Sequence, residues 1–113
     1  MEGYELQQEI NKKLISTMVL FRTRGEESAM AERDYRIALS KKILILRDAK
    51  IPVTIIGDLA RGDEQVAELK FKRDVSEALF ESVKQAIFTL RLQLKIARQE
   101  VAEDRNGFGK DDV

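Results

Sequence analysis

Apolar side chains recur along this chain at steps of three and four, interrupted around its single proline. Leu6, Ile10, Leu14, Met18 and Phe21 form a ridge with the period of an α-helix, and Tyr35, Leu39, Ile43 and Leu46 resume it. Gly25 lies between these halves and weakens a helix by about 1 kcal/mol relative to alanine, so a kink or break there stays open. Ser28, Ala29 and Ala31 also lie between them. Small side chains in mid-helix let a partner helix approach closely or accept a bulky residue from it.

The second half is more regular. Val66, Leu69, Arg73, Ser76, Phe80, Val83, Ile87, Leu90, Leu94, Ala97 and Val101 alternate steps of three and four, which is a heptad seam broken only by Arg73 and Ser76. Leu79, Ala86, Leu92 and Ile96 widen the stripe beyond what a two-stranded coiled coil buries, so this helix needs more than one neighbour. Asp34, Glu32 and Asp74 are the candidate partners for Arg73.

Between the two periodic stretches runs KIPVTIIGDLARGD. Pro52 forces Ile51 out of helical geometry and ends the first helix, and Thr54 is placed to cap a short helical turn over about residues 55–61. Gly62 can then take a left-handed stop conformation, and Asp63 is a good N-cap for a helix whose first apolar residue is Val66. The tripeptide Arg61-Gly62-Asp63, familiar as an adhesion signal, therefore has a structural account residue by residue. Arg61 sits where positive charge is favoured, at the carbonyl end of the short turn. Ile51, Val53, Ile55, Ile56 and Leu59 make this corner more apolar than a solvated loop. It either plugs the end of the core or presents an apolar tip to a partner.

These elements predict an all-α fold: a long antiparallel helical hairpin with a short helical turn at its corner. The helices are expected over about 4–49 and 64–104, each about 60 Å long, with the corner over 50–63. Residues 1–105 form one hairpin domain. Residues 106–113 lose heptad order, contain two acids and glycine, and are expected to be a flexible tail in which Phe108 is the one candidate anchor. A symmetric corner places residues whose numbers add to about 112 opposite each other, such as Leu46 with Val66 and Leu39 with Arg73. Lys41, Lys42, Arg47 and Lys50 then lie beside Asp58, Asp63, Glu64 and Glu68, an opposite-sign arrangement that favours this pairing. A homodimer, two hairpins making a four-helix bundle, covers the wide stripe.

Composition narrows the chemistry. Across 113 residues, 43% are hydrophobic and 35% charged, with one proline and six glycines, which suits elongated helices. Cysteine and histidine are both absent, so disulfides, thiolate or imidazole ligands and the commonest general base are excluded. No nucleophile elbow or phosphate-cradling glycine loop is present. Asp58, Asp63 and Glu64 near the corner are the only carboxylates that suggest a magnesium site, and they serve equally as helix caps. No catalytic residue, cofactor or metal is therefore assigned, and a non-enzymatic protein is expected. The acidic, polar start MEGYELQQEINKK and the lack of an apolar run of about 20 residues predict a protein that is neither exported nor membrane-bound and works in the cytoplasm.

Twenty basic and twenty acidic residues cancel, so any attraction for phosphate or lipid must be local. One zone stands out. Between Glu81 and Glu100 the chain carries Lys84, Arg91, Lys95 and Arg98 without an acid, and across the hairpin lie Lys12, Lys13, Arg22 and Arg24. Arg22, Arg24, Lys84, Arg91, Lys95 and Arg98 are the candidate contacts to nucleic acid or to a protein partner. Without interleaved exposed aromatics they read equally well as a solvated face or as a surface for another subunit's acidic tail.

The run ERDYRIALSKKILILRDAKIPVTIIGDLARGDEQVAELKFKRDVSEALFESVKQAI resembles small helical-hairpin proteins of phages and prophages of Gram-positive bacteria. The resemblance covers about half the chain and implies an accessory protein acting inside a bacterial host during phage growth. In length and hairpin form the chain also resembles small secreted helical hairpins of the same bacteria, although it lacks their Trp-x-Gly turn. Three functional expectations result. The first is a protein-interaction module that forms a homo-oligomer and binds a host or phage protein; the second is a nucleic-acid-binding accessory in replication or recombination; the third is a secreted hairpin.

Overall fold

The computed structural model describes residues 2–111, with side chains through residue 106. The order is α1 (Gly3–Asp48), α2 (Val53–Arg61) and α3 (Glu64–Asp111), with no strand among the described residues: an all-α hairpin. α1 is continuous through Gly25, so the glycine does not break the helix. α3 runs past the end expected near residue 104, and the backbone over 106–111 is helical where a tail was expected. Residues 112 and 113 and the Phe108 side chain lie outside the described set.

The chain gathers into two compact units. The first joins residues up to Arg22 with those from Ser82 on, and the second is Thr23–Glu81. In the first, Ile10, Leu94 and Ala97 are buried, and Leu6, Leu14 and Leu90 pack against them. Gly3 backs onto Val101, where an added Cβ would meet the Val101 Cγ2 at 2.5 Å. In the second, Tyr35, Ile56, Ala60 and Val66 are buried, and Gly25 receives the Phe80 ring, which would lie 3.2 Å from an added Cβ. The ring is received at Gly25, which the sequence marked only as a weak point of the helix, and not at Ser28, Ala29 or Ala31, where a close approach was expected.

All of the heptad seam of α3, from Val66 to Val101, turns away from solvent, Arg73 and Ser76 included. Each fully buried apolar side chain in it contributes about 1.5–3 kcal/mol. The widening set Leu79, Ala86, Leu92 and Ile96 is exposed. On α1 the inward positions are Leu6, Ile10, Leu14, Thr17 and Phe21, so Met18 leaves the expected ridge and faces outward. Two steps of four from Leu6 have already carried the line about 80° around the helix, so the step of three to Thr17 brings it back toward the buried face and a third step of four to Met18 would carry it further away.

Two corrections concern the register and the corner. Gly3 with Val101, Gly25 with Phe80, Glu32 with Arg73 and Lys42 with Asp63 add to about 105, not 112. Lys42 is level with the start of α3, so the last six residues of α1 overhang it by about 9 Å, and α2 makes the descent. The corner is not symmetric because a nine-residue helix, α2, with Ile56 and Ala60 buried, stands between the end of α1 and the start of α3.

α2 begins at Val53 with Pro52 as its N-cap and no side-chain cap, so Thr54 does not cap it. Proline at this boundary lacks an N–H that would otherwise need a partner. Gly62 is right-handed (φ −85°, ψ −5°), and the left-handed residue is Lys50 at φ 63°. Lys50 N–H donates to the Arg47 carbonyl at 3.0 Å and Ile51 N–H to the Leu46 carbonyl at 3.1 Å, the paired bonds that close a helix C-terminus around a left-handed residue.

Candidate interaction groove

Within the first unit, α1 and α3 bound an open groove of ≈ 800 Å³. Ile15, Met18, Val19 and Arg22 supply the α1 wall at spacings of three, one and three, one flank away from the buried ridge. Lys84, Phe88 and Arg91 supply the α3 wall, and Phe21 and Ile87 form the floor. The walls are well exposed: Phe88 68%, Ile15 66%, Val19 63% and Met18 47%. Three cations rim these apolar side chains, and among the described residues no carboxylate lines the groove.

Of the six basic residues picked from sequence, the fold brings Arg22, Lys84 and Arg91 together here. Lys95 and Arg98 are exposed and continue the α3 line at helical spacing from Arg91. Arg24 belongs to the other unit and is held by Glu27 at 3.0 Å. The expectation that no exposed aromatic interleaves these cations is corrected: Phe88 lies between Lys84 and Arg91 on the same flank. Ile15, Val19 and Phe88 were not singled out in the sequence. Their signal is a second apolar flank beside a core stripe, which a search for one seam passes over.

The corner residues divide. Ile56 is buried and Ile51 half-buried, whereas Val53, Ile55 and Leu59 face solvent, so the plug is made by Ile56 with Ala60. Asp63 accepts a bond from the Val66 N–H at 3.1 Å and pairs with Lys42 at 3.3 Å. That backbone bond first, and Lys42 next, hold its carboxyl below the ordinary aspartate range. Asp58 is paired with Arg61 at 2.9 Å, so each member of the Arg-Gly-Asp tripeptide serves the corner. Among the described residues no group of three or more carboxylates is placed to hold a metal ion.

The seam arginine has a defined seat in the second unit. Its guanidinium lies 4.6 Å over the buried Tyr35 ring, 3.0 Å from Asp74 and 3.5 Å from Glu32. Asp34, the third candidate partner, pairs with Arg33. The Asp74 bond first raises the Arg73 pKa, while Arg73 and then Lys70 lower that of Asp74. The exposed side of α3 in this unit carries Phe71, Val75 and Leu79.

Compared with protein families, with characterised proteins and with solved structures, the chain matches none. No described helix is long and apolar enough to cross a membrane.

Proposed function

We propose that this protein is a non-enzymatic helical interaction module that associates through faces its own hairpin leaves uncovered, first with a second copy of itself. The observation that carries this reading is the exposure of Phe71, Val75, Leu79, Leu92 and Ile96 on α3, a helix whose opposite stripe is already buried. Large apolar side chains left exposed within each unit gain most by being covered by another chain. The resemblance to phage and prophage hairpins supplies the setting, an accessory role inside a bacterial host.

Sedimentation equilibrium tests the self-association. The expected result is a dimer in the micromolar range, and a monomer throughout that range would overturn it.

Phe88 set between Lys84 and Arg91 favours nucleic acid as the second reading, since a base can stack on the ring while the cations hold phosphates. It ranks behind because the rest of the groove wall is Ile15, Met18 and Val19, which give no further stacking surface. Salt-sensitive binding of single-stranded DNA that disappears in Phe88→Ala would reverse the order.

A further inference from the structure

We propose that the groove formed by Ile15, Met18, Val19 and Phe88 is a docking site for an amphipathic helix with acidic flanks, contributed by another protein. The inference rests on the interaction-module reading and names the partner's chemistry. Two features decide the occupant. The walls are aliphatic and thioether side chains around one aromatic ring, the surface into which apolar anchors at helical spacing insert, and exposed methionine adapts to anchors of different shape.

The second feature is charge. Arg22 stands on one wall and Lys84 and Arg91 on the other, so carboxylates flanking an apolar stripe would meet cations on both sides. A second copy seated groove to groove would instead bring Arg22 and Arg91 of both copies together, four like charges, because a two-fold contact meets itself. The same rim penalises a helix with basic flanks. Lys95 and Arg98 extend the basic line along α3, so a longer acidic helix gains further pairs there.

The test uses the full-length protein and a displayed library of 18-residue peptides with a fixed apolar stripe and randomised flanks. Expected enrichment is for Glu and Asp at the flanks, with binding of an enriched peptide that weakens as salt rises. Arg22→Glu with Arg91→Glu should weaken that peptide at least tenfold and restore binding to its Lys-flanked counterpart, while circular dichroism stays unchanged because both side chains are exposed. Phe88→Ala should weaken both peptides. Flanks of no preferred sign, or binding indifferent to the charge reversal, would overturn the proposal. Protection of the groove by the dimer itself, read as loss of peptide binding when the protein associates, would give it to a second copy. Preference for a single-stranded oligonucleotide over every peptide would give it to nucleic acid. If peptides fail while sedimentation still shows a dimer, the groove assignment falls and the interaction-module reading stands.

Discussion

At the scale of single residues, the ends of the helices carry the most specific information. Lys50 occupies a left-handed conformation (φ 63°) that costs a side chain with a Cβ about 1 kcal/mol and costs glycine little. Lys50→Gly should therefore raise stability by about 1 kcal/mol, read as a shift in the urea midpoint, and an unchanged or lower midpoint would contradict the geometry. Asp63 makes a different prediction. Its folded pKa lies below the ordinary value, so its contribution is fully present above about pH 4 and is lost as the pH falls through the lower folded value. Asp63→Asn keeps an acceptor for the Val66 N–H but does not titrate. Thermal melts from about pH 5 down to pH 2 should show a shallower acid loss in the variant. Parallel curves would mean that the capping carboxylate does not couple to acid unfolding.

The register is decided at the scale of whole elements. Lys42 and Asp63 approach to 3.3 Å, whereas a symmetric corner would put Asp63 opposite Ala49 and Lys50. Zero-length carbodiimide coupling followed by peptide mapping should give a Lys42 to Asp63 amide within one chain. A Lys50 to Asp63 product in its place would restore the symmetric register. The periodic stretches were legible in the sequence because heptad spacing is a property of one helix: every seam residue from Val66 to Val101 turns inward as spacing requires. Register was not legible, because it depends on how much length the connection consumes. The path of α2 is set by Ile56 and Ala60 burying in three dimensions. The left-handed stop was misplaced for a related reason. Glycine at 62 marked a position where the conformation is cheap, while the chain needed it at Lys50, where α1 must close before Pro52. The basic residues of the groove were legible as a charge imbalance, but its apolar walls form a second flank beside a dominant stripe, and only the fold sets the two helices' flanks side by side.

For the molecule as a whole, association has to be reconciled with a net charge of zero. Cancelling charges remove long-range repulsion between copies, so the strength of self-association depends mainly on how much apolar surface the outer face of α3 removes from water. Leu92 and Ile96 are half-exposed and take no part in the buried cluster of Ile10, Leu94 and Ala97. Replacing both with lysine should therefore leave helicity and the unfolding midpoint of the monomer nearly unchanged. It should weaken the dimer at least tenfold in sedimentation equilibrium, because two charges per chain would have to be desolvated to close the contact. An undiminished dimer would place the contact elsewhere. Salt gives an independent reading: apolar closure should change little between low and moderate ionic strength, whereas occupation of the basic groove should weaken steeply. A dimer that dissolves with added salt would mean that the copies meet through charge, which would count against Leu92 and Ile96 as the surface that joins them.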